Sequence, residues 1–439
     1  MRAELNTTHD PAHRSWVESA NAAGCDFPIQ NLPFGLFRSP ARPDSATPRA
    51  GVALGDQIID LAAIAGHLDG PAQAAARAAL GPSLLPLLRQ PPEAVSQLRA
   101  SLSRLFGAGA PGRDAHVPDA AVAALVPMNQ AEMVLPLRPP GFADFCCSIE
   151  HIRRMAQSTG RPVARCADRL PVSYNGRASS VAVSGTPVRR PRGQFESPPG
   201  TGEVQYGPEP RLDYELEFGA WLRGGSALGQ ALSVAEADAL LFGCSLVNDW
   251  SARGIQAFEM MLGPHLGKSF LTTVSPWIVT MEALAPFRVP ARGRAADEAA
   301  VPDHLLDPAD RAQGGLRVAL TAELQTANGQ TQQIARSGFE DMFWTFAQMV
   351  AHQASSGAPL EAGDLLGSGT VSGPAPHARA CLAELTERGG NPLVFGDGSR
   401  RVWLQDGDSV CIRGRAHAPG AVSIGFGECR GQIQPVLSA

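Results

Sequence analysis

Lysine is all but missing from this chain: of 37 basic residues, 36 are arginine and one, Lys268, is lysine. A guanidinium is a planar five-donor fork, whereas an ammonium is a compact point charge that fits where the fork does not. The solitary lysine therefore points to a task at position 268 that arginine does not perform. Excess positive charge is also absent. A formal net charge of -5 removes the electrostatic case for nucleic acid or an anionic membrane as partner. No apolar run is long enough to cross a bilayer, and Met1 to Asp10 contains no apolar signal core, so a cytoplasmic protein is expected. The eight cysteines form no C-x-x-C pair and have no histidine partners at metal-ligand spacing. Cys146 and Cys147 are adjacent and the others scattered, which argues against a zinc ribbon and for reduced thiols. No internal repeat is present, so the chain is not read as a solenoid.

What the chain does have is length, glycine and proline. Its 439 residues exceed what one core usually serves, and 46 Gly with 37 Pro mark many turns around short strands. An all-β or β-rich α+β protein of two domains follows. Residues 49–61 read as strand, Gly55-Asp56 turn, strand. Residues 71–106 read as short helices broken by Pro86 and Pro91-Pro92, and 107–140 as a linker, giving domains 1–130 and 131–439. Beyond Pro140, strands are predicted at 181–185, 212–220, 277–281, 316–324, 409–413 and 421–425. Ser233-Val234-Ala235-Glu236 opens a helix as a capping box before the apolar run 240–247, a second helix is predicted over 338–353, and 287–315 reads as an exposed loop.

Asp213, Glu215 and Glu217 alternate with Tyr214, Leu216 and Phe218, so in a strand the three acids share one face. Carboxylates that close repel unless solvated, protonated or bridged by a cation. Asp249 ends an apolar run, and Asp144 has a similar apolar frame. Together with Glu215 and Glu217 they would make an all-oxygen set suited to Mg²⁺ or Ca²⁺ rather than zinc, a grouping that spacing in the sequence does not by itself license. His151 follows Asp144 by seven residues, about two turns if helical. Glu384 reads as an ordinary acid in a strand. Gly263 to Ser269 looks like a phosphate-binding loop, but the first glycine is one residue too close and Leu262 holds the required position, which excludes that reading.

Longer segments go together: Phe27-Pro28-Ile29-Gln30-Asn31-Leu32-Pro33-Phe34-Gly35, Leu170 to Ser180, Val183 to Pro191, Asn248-Asp249-Trp250-Ser251-Ala252-Arg253, Gly267-Lys268-Ser269-Phe270, Thr273 to Trp277, Gly363-Asp364-Leu365-Leu366 and Gly369 to Pro374. In these the chain resembles the fumarylacetoacetate hydrolase family over nearly its whole length. The resemblance implies a small N-terminal SH3-like β-barrel, a C-terminal mixed β-sandwich or β-roll catalytic domain and a homodimer. It implies a divalent cation, Mg²⁺ or Ca²⁺, held by Asp144, Glu215, Glu217 and Asp249, with Lys268 and Thr272 beside it. His151 resembles the general base and Glu384 its orienting partner. Arg253, Gln256, Tyr174 and Thr370 match substrate-side positions. Where the family carries tyrosines, this chain has Cys146 and, near the second, Met260. Arg161 is the candidate for the substrate carboxylate, with Arg153 and Arg154 as alternatives. The implied reaction is hydrolysis of a carbon–carbon bond in a small β-diketo acid, 4-fumarylacetoacetate giving fumarate and acetoacetate at the end of tyrosine and phenylalanine breakdown. The alternative substrate is another acylpyruvate or 1,3-dicarbonyl acid. His151, Glu384 and Lys268 together argue against a silent scaffold built on a structural Ca²⁺.

Overall fold

A computed structural model describes residues 4–40, 47–108 and 119–437. The expectations for the first three residues, and for 109–118 within the predicted linker, lie outside that range. The strands Arg49–Leu54 and Gln57–Asp60 form the predicted hairpin, with Leu54 opposite Gln57 across the two-residue Gly55-Asp56 loop. Gly55 has φ +63°, and a Cβ there would lie 2.5 Å from the Ala20 amide nitrogen, so both backbone conformation and space demand glycine. The prolines read as breakers turn out to be starters. Helices Gly70–Ala78, Leu85–Leu88 and Pro92–Phe106 each carry proline in the first turn, where its missing N–H costs nothing. The last of them buries Val95, Leu98, Leu102 and Phe106, one stripe at helical spacing.

This N-terminal unit does not close on itself. Phe34–Arg38 pairs antiparallel with Arg49–Leu54 on one side and with Trp277–Thr280 on the other. Among the described residues a single thirteen-stranded sheet results. Its path runs from Leu125–Pro127 through the hairpin and Phe34–Arg38 to Trp277–Thr280, Leu241–Asp249, Leu216–Leu222, Leu365–Gly367, Phe142–Phe145 and Ser173–Asn175. The fold is mixed α+β and β-rich, and this path is open rather than a closed barrel. The core follows the sheet: Phe142, Trp221, Phe242, Ile278 and Leu365 join the same apolar cluster as the helices of residues 70–106.

Two central strands carry Glu217 and Asp249. Leu216–Leu222 and Leu241–Asp249 pair antiparallel and are buried at every position, which is why the second reads as a nearly unbroken apolar run. The helix before it, Val234–Leu240, has both bonds of the predicted capping box between Ser233 and Glu236. A second sheet orders Thr331–Gly338, Val318–Gln325, Ser409–Ala416, Ile424–Gln434 and Val188–Arg189. The strand predicted from Ala421 thus begins at Ile424.

The helix predicted from Gly338 begins only at Phe346. Gly338 still pairs with Ala319 in the sheet, and Phe339, Met342, Phe343 and Trp344 are all buried, a pattern of enclosure rather than of one helical face. Thr345 is the true N-cap, accepting the Gln348 amide at 3.2 Å. Its hydroxyl donates to Asp310 at 2.9 Å. That bond corrects the reading of 287–315 as an exposed loop, for Glu298, Leu305 and Asp310 within it are buried and Arg294 stacks over the Phe343 ring. Thr345→Ala is expected to lower unfolding free energy in urea by about 1–2 kcal/mol through loss of the cap. No change in midpoint would mean that this junction carries no stability.

Candidate active site

The acidic segment is not one strand. Leu212–Asp213 and Leu216–Leu222 are separate, and at the break Glu215 makes an isolated bridge with Cys381. The predicted common face of three acids therefore resolves into two destinations. Glu215 and Glu217 meet Asp144 and Asp249 in a buried group in which one carboxylate oxygen from each lies within 4.8 Å of the others. Asp213 instead engages Arg253 and the amides of Leu382 and Ala383.

Each acid is delivered by a strand or, for Glu215, by the break just before one. Asp144 sits on Phe142–Phe145, opposite Gly367 in a parallel pairing. A Cβ at Gly367 would lie 2.5 Å from Asp144 Oδ1, and one at Gly369 (φ +74°) 2.0 Å from the Phe145 carbonyl, so the Gly-Ser-Gly turn can press against the acid only because those side chains are missing. The Gly369 amide donates to Asp144 Oδ1 at 3.2 Å. Asp249 ends its strand and accepts from Thr272 Oγ1, Tyr174 OH and Lys268 Nζ, each at 2.6 Å. Lys268, buried in the short helix Leu266–Ser269, also donates to Glu215 Oε2. The other Glu215 oxygen is 2.8 Å from Arg253 Nη1.

Charge sets Glu215 apart from Asp144 and Glu217. Burial raises the Glu215 carboxyl, but Lys268 and Arg253 outweigh it and hold Glu215 well below the usual range. Burial and then neighbouring carboxylates, Asp249 first for Asp144 and Asp144 first for Glu217, push those two well above it. Both Glu217 oxygens are buried without a hydrogen-bond partner. An all-oxygen cluster with an orphaned carboxylate and too little positive charge fits a hard divalent cation. Lys268 stays an ammonium: burial opposes its charge, but Asp249 and Glu215 more than offset that. Tyr174 stays a phenol, raised by burial and by Asp249. Cys146 is a thiol rather than a thiolate, raised by burial and then by Glu215 and Asp144.

His151 lies beside this cluster in the helix Ile149–Ser158. Asp144 precedes it in a strand, so the predicted two-turn helical relation does not hold, and the intervening 146–148 brings them together. Glu384 is likewise not in a strand but in the short helix Leu382–Leu385. His151 Nδ1 and Glu384 Oε2 are 3.1 Å apart, an ion-pair approach whose direction falls outside hydrogen-bond geometry, as catalytic pairs often show before substrate arrives. Two serines that sequence reasoning left unassigned build the support. Ser148 caps the His151 helix and donates to the Ser372 carbonyl at 2.6 Å, while Ser372 Oγ donates to Glu384 Oε2 at 2.6 Å. Burial raises Glu384, but His151, Ser372 and Arg154 hold it down at about 2. A depressed carboxyl contributes stability that is present above its unfolded range and lost as pH falls toward the folded value, so Glu384 is a carboxylate at any working pH.

The remaining candidates fall at different distances from the cluster. Arg253 bridges Asp213 and Glu215, and its Nη1 reaches Gln256 Oε1 at 3.3 Å. Thr370 is buried in the turn after Leu365–Gly367, and Cys146 is half-buried after Phe142–Phe145. Met260 caps the helix Arg253–Glu259 with its side chain half exposed. Arg161 is exposed beyond the His151 helix, with no side-chain bond to the cluster. Of its alternatives, Arg153 pairs with Glu150 and Glu298, and Arg154 with Glu384 and the Gly373 carbonyl.

Comparison with known proteins gives one picture. Residues 141–434 match the family model described as fumarylacetoacetate (FAA) hydrolase C-terminal, and residues 30–136 the one described as fumarylacetoacetase N-terminal. The fumarylacetoacetase of Oryza sativa subsp. japonica is 39% identical over 436 residues, covering 97% of this chain and 98% of that protein. The Homo sapiens fumarylacetoacetase is 38% identical over 421 residues, covering 95% and 98%. Among solved structures, the fumarylacetoacetate hydrolase of psychrophilic Exiguobacterium antarcticum superposes with a TM-score of 0.50 at 17% identity, covering 92% of this chain and 99% of that one. That last likeness concerns the fold.

Proposed function

This chain belongs to the fumarylacetoacetase family, and we propose that it works through a cation site of four carboxylates beside a His151–Glu384 base. It is a hydrolase of carbon–carbon bonds that converts 4-fumarylacetoacetate and water to fumarate and acetoacetate. The observation that carries the site reading is the buried carboxylate quartet with its orphaned Glu217. Asp144, Glu215, Glu217 and Asp249 are the ligands, and Mg²⁺ and Ca²⁺ both suit them. When bound, such a cation supplies Lewis-acid polarisation of the diketone oxygens.

The chain's own residues do the rest. His151, held by Glu384, takes a proton from water, and the hydroxide adds to the carbonyl carbon of the fumaroyl group. Collapse of the adduct breaks the bond to the acetoacetate carbon, which leaves as a carbanion with its charge spread onto oxygen. The proton on His151 returns to that carbon, so water is divided between the two products. Lys268 has three N–H donors, two on carboxylates and the third only 3.4 Å from the Asp249 carbonyl oxygen, a long contact it can exchange for the developing oxyanion. Lys268 orients the ligands rather than replacing one, since an ammonium has no lone pair, and Thr272 orients Asp249 by donating to its Oδ1. Gln256 accepts from Arg253 through its oxygen, which leaves its amide NH₂ for substrate. Tyr174, Thr370, Cys146 and Met260 are the further substrate-side positions, and Arg161, or one of Arg153 and Arg154, the carboxylate partner. We further read residues 1–130 as an SH3-like unit and 131–439 as the catalytic domain, in a cytoplasmic homodimer.

Loss of the ultraviolet diketone absorbance of fumarylacetoacetate tests this reading. Chelation is expected to lower the rate by about 100-fold or more, with Mg²⁺ or Ca²⁺ restoring it. A chelated enzyme at full rate would refute the cation; a metal-loaded enzyme inert on this diketone but active on acetylpyruvate would transfer the reading to that substrate.

A further inference from the structure

Asp213 opens the acidic segment, is fully buried and belongs to neither the carboxylate quartet nor the base pair. Its Oδ2 faces the Arg253 fork, accepting from Nε at 2.9 Å and lying 2.8 Å from Nη2 in an ion-pair approach outside hydrogen-bond geometry. From that fork the remaining nitrogen, Nη1, reaches Glu215 Oε1 at 2.8 Å. Its other contacts run the opposite way. Asp213 Oδ1 accepts the Leu382 amide at 2.7 Å, and Oδ2 the Ala383 amide at 3.1 Å. Those are the first two residues of the helix Leu382–Leu385, in which Glu384 comes next. A helix start leaves such amides unpaired, and the residue at the N-cap position, Cys381, has no side-chain bond to them. One carboxylate therefore performs the capping from outside the helix and at the same time fixes the guanidinium that holds a cation ligand.

We propose that Asp213 is a positioning residue that joins the two halves of the site, setting Glu215 through Arg253 and Glu384 through the helix amides. The inference rests on the cation-and-base reading above. Its logic is that of an outer partner of a ligand, whose loss commonly costs about 10–100-fold in affinity or activity. Asp213→Asn keeps size but turns one oxygen into a donor facing Arg253 or the amides. It also leaves the Arg253 charge uncompensated one contact away from Glu215, which disfavours a second positive charge in the quartet.

The experiment reads two quantities separately on the full-length protein: Ca²⁺ affinity by calorimetry and kcat on fumarylacetoacetate at saturating metal. Asp213→Asn is expected to weaken Ca²⁺ about tenfold and to lower kcat about 30-fold. Ala383→Pro removes one amide donor, changes no charge and puts proline in a first helical turn, where it is tolerated. It is expected to lower kcat several-fold with Ca²⁺ affinity unchanged, and it keeps the test alive if Asp213→Asn does not fold. A variant that melts earlier but retains wild-type kcat and Ca²⁺ affinity when folded would overturn the proposal in favour of a purely structural role. A wild-type protein that neither binds Ca²⁺ nor cleaves the diketone would instead refute the underlying reading.

Discussion

His151→Ala is expected to lower kcat on 4-fumarylacetoacetate by about 10³-fold while leaving the fold and Ca²⁺ affinity near wild type. The magnitude is that of a positioned base removed from a step in which water is a poor nucleophile. The selectivity follows from geometry, because the four oxygens grouped for the proposed cation come from Asp144, Glu215, Glu217 and Asp249 and none from the imidazole. His151 is nearly buried, so truncation leaves a small cavity against Glu384 rather than a break in the core. Its backbone is retained, and the cap that Ser148 supplies to its amide is untouched. Glu384→Gln should act in the same direction but less strongly, since the imidazole remains and only its alignment and the charge behind it are lost. If His151→Ala turned over at more than about a tenth of the wild-type rate, the base assignment would fail, and hydroxide would have to arise without it.

Much of this site is legible before any coordinates, and its illegible part has a definable cause. Asp249 can be read because a fully buried strand must be apolar and its first polar residues mark where burial meets function. Glu215 and Glu217 can be read because alternation places them on one side. What fails is continuity. The alternation continues to Asp213, yet the backbone breaks at Tyr214-Glu215, and no local residue type announces that break. Glu384 fails for a related reason: four residues, Leu382–Leu385, are too few for periodicity to tell helix from strand, and the first two helix amides are capped by Asp213 from a distant segment. The N-terminal strands could be paired as a hairpin from Gly55-Asp56, but their junction with Trp277–Thr280 is non-local and leaves no trace in sequence spacing. The prolines at 71, 86 and 92 show the opposite case, where one residue type has two meanings and its place within the helix decides.

Lys268→Arg is expected to fold, to bind Ca²⁺ more weakly and to lose about 10²–10³-fold in kcat. The wild-type ammonium touches Glu215 Oε2 and Asp249 Oδ2 from inside a site with almost no solvent access. Room is scarce there: a Cβ on the preceding Gly267 would lie 2.5 Å from the Gln256 side chain. A guanidinium at 268 would spread its donors across both carboxylates and occupy the space where a cation and the diketone oxygens must meet. Lys268→Met separates charge from shape. Methionine keeps a similar length without the charge, so Glu215 and Asp249 lose their common counter-ion and the quartet becomes more negative. Ca²⁺ should then bind at least as tightly as in wild type, while kcat still falls about 10²-fold because the ammonium N–H donors no longer face the departing carbanion. Opposite changes in affinity for the two variants, with a shared loss of turnover, are what an oxyanion-stabilising lysine requires. A lysine that served only to hold ligands would show the reverse for methionine, weaker Ca²⁺ and near-normal kcat once metal is saturating. That pair of measurements decides why one ammonium persists in a chain that otherwise uses arginine.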